Sequence, residues 1–182
     1  MIKIGVQTYI VNGVNYHIRS AIANDAAALS DLRLQIDGET ENMDRERGEN
    51  FLDSSAFERL ILTDIESPRN LFLVAEAGGR LVGFSRCEGS TLKRLAHKVD
   101  FGVCVLKDYW GCGIGTNLLE QSLAWADDQG VAKVALQVLE TNEKAIALYK
   151  RLGFEEEGLL RNDKLLGNGL YYNTVVMGRL RG

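Results

Sequence analysis

Histidine and cysteine are scarce in this chain, and their scarcity excludes two kinds of protein. Its only histidines, His17 and His97, lie far apart with no cysteine or histidine at ligand spacing, so the sequence predicts no metal site. The three cysteines are odd in number and irregularly spaced, which argues against a disulfide framework. Together with the absence of a signal peptide, they indicate a reducing compartment, and we expect a cytoplasmic protein.

Long apolar runs and an excess of positive charge are also missing. No hydrophobic stretch approaches the roughly 20 residues needed to span a bilayer, so we expect no membrane partner. The formal net charge of −4 argues against a nucleic-acid partner and is compatible with a cationic acceptor such as an amine. With 182 residues, 46% of them hydrophobic and 25% charged, the composition predicts one globular domain, residues 1–182.

Residues 103–116 form the stretch around which the rest of the chain is organised. They comprise an apolar strand, a turn with glycines at 111, 113 and 115, and the start of a helix. A turn almost free of side chains lets backbone N–H groups converge on a small anion, where the helix dipole also favours negative charge. Taken alone, this glycine spacing is equally typical of a flexible loop.

A second motif follows on a short helix after a strand. It has the pattern Asn-x-x-Ala-x-x-x-Tyr-x-x-x-Gly-Phe, with Asn142 first and Phe154 last. Together with the Trp-Gly-Cys-Gly-Ile-Gly turn at 110–115, it resembles the GNAT N-acetyltransferase family. The resemblance is strong over residues 98–155, and it implies acetyl-CoA as co-substrate and an amine as acceptor. It also implies that a homodimer can form, and it leaves open a non-catalytic acyl-CoA-binding sensor or subunit.

The element order predicted from the chain is βαα-ββ-βα-βα-ββ. Two-residue turns at Asn12-Gly13 and at 78–79 predict hairpins, the first pairing residues 2–9 with 14–22. Asn24 is expected to cap the first helix, which Gly38 ends, and a capping box beginning at Ser55 is expected to start the second. Later segments are predicted as strands at 98–106, 133–139, 154–166 and 170–181, with a helix at 113–129.

The predicted fold class is α/β (α+β). We expect a GNAT-like mixed, mainly antiparallel sheet of about seven strands, flanked by helices on both faces. Residues 1–15 are expected to form an N-terminal hairpin extension, and residues 98–155 the acetyl-CoA-binding core.

The resemblance assigns roles to the strand end, the turn and the later helix. Backbone N–H groups of residues 111–116 would hold the diphosphate, and the splayed strand end would pair with the pantetheine arm and polarise the thioester. Asn142 would cap its helix and bond the pantetheine arm. The cofactor-binding residues implied are Val103, Cys104, Val105, Gly111, Cys112, Gly113, Ile114, Gly115, Thr116 and Asn142.

The catalytic residues implied are Tyr149 and Asp100. Tyr149 lies two helical turns after the motif asparagine and would act as general acid toward the leaving thiolate, although a core tyrosine is the other interpretation. The general base is less defined, since Gln137 occupies a place where some family members carry glutamate. Asp100 is the first candidate, followed by Glu88, His97 or a chain of water molecules.

Two further features were open to more than one interpretation. Trp110 stands where the family usually has arginine or glutamine, and we expect it to plug the core under the turn rather than contact the cofactor. The charged segment 39–50 carries Glu39, Glu41 and Glu49, which would attract a cationic substrate or, more simply, form a solvated loop.

Overall fold

The computed structural model describes residues 3–182, so the predicted strand residue Ile2 lies outside the described part. Within that range the chain forms eight strands and four α-helices. In chain order they are β1 Gln7–Val11, β2 Val14–Ser20, α1 Ala26–Glu39, α2 Ser54–Glu66, β3 Leu71–Ala77, β4 Arg80–Gly89, β5 Lys98–Val105, α3 Ile114–Asp128, β6 Lys133–Leu139, α4 Glu143–Arg151, β7 Glu155–Leu165 and β8 Tyr171–Leu180.

The eight strands form one sheet in the order β1-β2-β3-β4-β5-β6-β8-β7. Strands β5 and β6 run parallel, and the other neighbouring pairs are antiparallel. The expected mixed, mainly antiparallel sheet is therefore confirmed, with one strand more than the seven predicted. Both predicted two-residue turns close hairpins, because Asn12, Gly13, Gly78 and Gly79 all adopt positive φ.

Helices cover both faces of the sheet, as expected. Phe84 on β4 meets Phe57 of α2 at a ring distance of 6.4 Å, whereas the next residue, Ser85, lies 3.4 Å from the Ser122 hydroxyl of α3. Successive strand residues point to opposite faces, so α2 and α3 lie on opposite sides. None of the helices in the described range has the length and apolar character that crossing a membrane requires.

Two helix starts differ from the prediction. At the first, Asn24 lies inside a 3₁₀ turn, Ala23–Asp25, that precedes α1, and the Asp25 carboxylate accepts the Ile22 N–H ahead of that turn at 2.8 Å instead of capping α1. At α2 the Asp53 carboxylate accepts the Ala56 N–H at 2.8 Å, so the helix begins two residues earlier than the expected box. Gly38 does not end α1, which continues through Glu39.

Candidate active site

A cleft opens where two central strands separate. Strands β5 and β6 pair only at their first three residues, 98–100 with 133–135, and then diverge. The resulting space has a volume of about 690 Å³ and is lined from both strands and from α4. Its walls include the predicted site residues Asp100, Val103, Cys104, Asn142 and Tyr149.

The end of β5 presents backbone groups to this cleft. The Leu106 N–H donates to the Val82 carbonyl at 2.8 Å, which fixes the hydrogen-bonding pattern at this point. Successive residues of β5 direct their N–H and C=O groups alternately toward β4 and toward the open side. Val103 therefore directs its N–H and C=O groups toward the cleft, and Cys104 directs its own toward β4. The predicted site residue Val105 is not among the described residues that line the cleft, and its carbonyl is occupied by the Trp110 indole N–H. Val103 has no strand partner on the open side within residues 3–182.

The glycine turn that follows β5 forms a socket of backbone amides. Gly111 and Gly113 have φ of +77° and +76°, the left-handed region that favours glycine, whereas Gly115 belongs to α3. In the part of the chain that the structure describes, no carbonyl accepts the N–H groups of residues 111–113. The N–H groups of residues 114–116 belong to the first turn of α3, where no intrahelical acceptor exists.

Tyr149 lies on the wall of the cleft and is also packed from behind. The side chain is 8% exposed, and its ring lies 5.7 Å from that of Phe154. Burial raises the pKa of Tyr149 to about 12, so the phenol keeps its proton at physiological pH. The packing against Phe154 agrees with a core tyrosine, and the position on the cleft wall is compatible with a site residue.

Asn142 occupies the N-cap position of α4 but makes no side-chain cap bond. Its backbone has φ of −83° and ψ of 63°, outside the extended conformation that a capping side chain requires. Its carbonyl accepts the Ile146 N–H at 3.1 Å, and its side chain lines the cleft. The predicted cap bond is therefore wrong, while the placement beside the cleft agrees with the motif.

The structure brings together two of the three side chains considered as general base. Asp100 on β5 is the register partner of Glu88 on β4, and both side chains are exposed and line the cleft. Gln137 lines the same cleft. His97 is absent from that lining among the described residues, and its backbone carbonyl accepts the N–H groups of Ala132 and Lys133 at the start of β6.

Trp110 lies at the surface, so the prediction that it packs in the core is wrong. Its side chain is 47% exposed, and the indole N–H donates to the Val105 carbonyl at 2.8 Å. The Lys107 ammonium lies 6.0 Å from the centre of the ring. The reason is local, because the glycine-rich turn carries too few side chains to cover a large ring.

The charged segment 39–50, which comprises the last residue of α1 and part of the loop to α2, is held in place by its glutamates. The Glu39 carboxylate accepts the Lys107 N–H at 2.8 Å, and the Glu41 carboxylate accepts the Gly167 N–H at 3.1 Å. Glu49 accepts a backbone N–H within the loop itself. All three carboxylates thus stabilise backbone, and residues 42–45 of the same loop line the cleft.

The sequence also matches a described family. Residues 38–154 match the pattern described as "Acetyltransferase (GNAT) family". The chain belongs to the GNAT acetyltransferase family. Similar proteins include the L-amino acid N-acetyltransferase AaaT of Escherichia coli K12, which is 32% identical over 110 residues, covering 60% of this chain and 67% of that protein.

Further relatives carry related names. The N-alpha-acetyltransferase of Sulfurisphaera tokodaii is 39% identical over 109 residues, covering 55% of this chain and 65% of that protein. A GNAT acetyltransferase structure from Streptococcus pneumoniae superposes with a TM-score of 0.88 at 28% identity, covering 91% of this chain and 99% of that one. Because the chain belongs to this family and is similar to these N-acetyltransferases, it is an acetyl-CoA-dependent N-acetyltransferase.

Two thiols of this GNAT acetyltransferase, those of Cys87 and Cys104, are not activated nucleophiles. Burial raises the pKa of Cys104 to about 12, and burial raises that of Cys87 to about 12 as well. Cys112, in the turn, is partly exposed, and its sulfur lies 3.9 Å from the Trp110 carbonyl. Among residues 3–182 there is no group of three or more His, Cys, Asp or Glu side chains placed to share a metal ion.

Sequence reasoning missed the basic side chains of the cleft. Arg86 on β4 lies opposite Gly102, and its guanidinium is held by the buried Asp64 carboxylate at 2.8 Å and 3.0 Å. The Glu88 carboxylate lies 3.6 Å from the same guanidinium. The sequence did contain one signal for them. Side chains alternate between the two faces of a strand, so residues 86 and 88 of β4 lie on the same face. Other charged lining residues not predicted are Asp44, Arg45, Lys98, Lys133 and Glu157.

Proposed function

We propose that this GNAT acetyltransferase transfers the acetyl group of acetyl-CoA directly to a primary amine of a small molecule or a peptide N-terminus. The observation that carries the proposal is the separation of β5 from β6, with Tyr149 on the cleft wall and the amide socket in the turn that follows β5. Residues 98–155 would form the acetyl-CoA-binding core of a single domain, residues 1–182. A cytoplasmic location and a homodimer belong to the same proposal.

The glycine turn would hold the diphosphate. Six successive backbone N–H groups, from residues 111–116, are available at the start of α3, where the helix dipole adds a favourable field. The Thr116 hydroxyl would add a seventh donor. The left-handed glycines support this role, because they allow the backbone to approach the phosphates without a side chain between.

The end of β5 would align the thioester. An extended pantetheine arm can add to the open edge of β5 as an extra strand, with the Val103 N–H and C=O groups as its backbone partners. A fixed N–H donor at the thioester carbonyl stabilises the negative charge that develops on its oxygen during attack. Asn142, on the opposite wall, would bond the same arm.

Proton transfer would involve one side chain on each side of the reacting carbon. An alkyl amine with a pKa of about 10.4 arrives protonated, and Asp100, Glu88 or a water between them would accept its proton. The free amine attacks the carbonyl carbon, the C–N bond forms and the C–S bond breaks. Tyr149 would donate its hydroxyl proton to the departing sulfur. The nitrogen releases a second proton once the C–N bond has formed, and that proton restores the phenol, so the overall reaction yields the amide, the CoA thiol and the one proton taken by the base.

The relatives indicate which acceptors to test first. One is named for L-amino acids, another as an N-alpha-acetyltransferase, and a Haemophilus influenzae relative at 30% identity for alanine of ribosomal protein bS18. We therefore propose amino acids and peptides with free N-termini as the first panel, with polyamines and aminoglycosides beside them. Acetyl-CoA consumption measures each candidate.

Tyr149→Phe tests the proposed acid. Removing a positioned general acid lowers turnover by about 100-fold or more, whereas the acetyl-CoA affinity should change by less than about threefold. Tyr171→Phe is the matched control, because that ring is 62% exposed on β8 and outside the cleft lining. Equal losses of turnover and affinity would make Tyr149 structural. Tight CoA binding with no turnover of any acceptor would instead favour the non-catalytic binding module.

The two facing carboxylates are tested by their amide variants. If Asp100 accepts the proton, Asp100→Asn should lower kcat/KM by about 100-fold. Glu88→Gln, its neighbour across the strands, serves as the paired comparison and should leave kcat/KM nearly unchanged. If both variants keep the kcat/KM of the wild type, neither carboxylate is the base and the proton leaves through water.

A further inference from the structure

The N-terminal hairpin of β1 and β2 reaches the glycine turn, far away in the sequence. At its tip, Asn12 and Gly13 have φ of 51° and 78°, the conformation of a type I′ turn. From there the Asn12 side-chain amide donates to the Gly111 carbonyl at 2.8 Å, across 99 residues of sequence. Nothing in the acetyl transfer itself explains this bond.

The bond fixes the orientation of one peptide plane in the socket. The described chain contains no cis peptide, and in a trans peptide the C=O group and the following N–H point in opposite directions. A Gly111 carbonyl held toward the hairpin therefore turns the Cys112 N–H away from it. Gly111 has no side chain to hold that plane, and glycine accepts the flipped conformation as readily.

The same hairpin also holds the start of α3. The Tyr16 hydroxyl accepts the Asn117 side-chain amide at 2.6 Å, and the Tyr9 hydroxyl accepts that of Gln121 at 2.7 Å. The two tyrosine rings stack at 5.4 Å. Residues 113, 117 and 121 are four apart, so they form one stripe of the helix. The hairpin thus contacts this stripe and the turn together.

We propose that Asn12 is a positioning residue for the diphosphate, acting through the Gly111–Cys112 peptide rather than by touching the ligand. The inference rests on the proposed function of the turn as the diphosphate socket. With the bond in place, the Cys112 N–H is already aimed at the phosphate oxygens before the ligand arrives. Without it, part of the binding free energy is used to orient that peptide.

Asn12→Gly isolates the side chain, because glycine keeps the left-handed turn and removes only the donor. Asn162→Gly is the matched control, since Asn162 has φ of 51° in β7 and lies outside the cleft lining. We expect the dissociation constant of CoA to rise about three- to tenfold in Asn12→Gly, the size of one hydrogen bond. The constant for pantetheine, which lacks the diphosphate, should stay unchanged. Asn162→Gly should change neither.

Asn12→Asp gives a second test, because aspartate also tolerates the turn and cannot donate to a carbonyl when ionised. It should weaken CoA binding at least as much as Asn12→Gly does. Unchanged CoA affinity in both variants would overturn the inference, as would an equal loss for CoA and pantetheine, which would indicate a general disturbance of the fold. Failure of the wild type to bind CoA would instead overturn the proposed function.

Discussion

Substituting Gly113 by alanine tests the socket at a residue whose left-handed backbone conformation favours glycine. The residue has φ of +76°, and an added Cβ would lie 3.4 Å from the Tyr16 hydroxyl and 3.5 Å from the Val11 side chain. Those distances are ordinary van der Waals contacts, so the strain comes from the backbone, where an L-residue in the left-handed conformation costs about 1–2 kcal/mol. Gly113→Ala therefore strains the turn that holds the proposed diphosphate donors.

The strain will lower either the free energy of unfolding or the affinity for CoA. If the variant keeps the left-handed turn, about 1–2 kcal/mol is lost from the free energy of unfolding, which lowers Tm by roughly 2–8 °C. If the turn relaxes in the free protein, the same free energy opposes ligand binding. The dissociation constant of CoA then rises about 5- to 30-fold, since 1.4 kcal/mol corresponds to a factor of ten. Differential scanning fluorimetry and calorimetric titration together measure both effects.

Gly115→Ala is the matched control in the same turn. This glycine has helical φ, and the nearest atom to an added Cβ is a Val105 methyl carbon at 4.0 Å. Alanine also favours the helix relative to glycine, so Tm should not fall, and any loss of CoA affinity should be smaller than in Gly113→Ala. Equal effects of Gly113→Ala and Gly115→Ala on both measurements would refute the reasoning, because the conformational difference between the two positions would then be irrelevant.

Two predictions concern stability. Burial raises the pKa of Cys87, Cys104 and Tyr149 to about 12, from 9.0 for the thiols and 10.0 for the phenol. The unfolded chain releases these protons first, so stability should fall as pH rises from about 9 to 12, and an unchanged Tm over that range would contradict it. Asp64→Ala leaves the partly buried Arg86 without its carboxylate and should cost about 3 kcal/mol in urea unfolding. A loss of less than about 1 kcal/mol in the free energy of unfolding would mean that water compensates the Arg86 charge when the carboxylate is removed.

Local signals predicted most of the fold. The two-residue turns at Asn12-Gly13 and residues 78–79 carry their own conformational preference, and both hairpins follow from it. The helix caps predicted at Asn24 and Ser55 were wrong. Asn24 is taken up by a 3₁₀ turn before α1 begins, and Asp53 caps α2 in place of Ser55, because sequence alone does not rank neighbouring polar residues.

The site was predictable where a motif contains it, and not where distant segments meet. The glycine turn and Tyr149 fall where their motifs put them, one at the start of α3 and one on the cleft wall. The exposure of Trp110, the pairing of Arg86 with Asp64 and the bond from Asn12 to the turn depend on tertiary contacts. The last of these joins residues 99 apart, a separation that no local pattern encodes.

The most direct test of the central claim is a crystal structure of the protein grown or soaked with CoA. We predict diphosphate oxygens about 3 Å from the backbone N–H groups of residues 111–116. The pantetheine arm should run along the open edge of β5, with its sulfur beside the Tyr149 hydroxyl. CoA bound elsewhere, or no CoA in that turn at millimolar concentration, would contradict the assignment of the socket and the mechanism built on it.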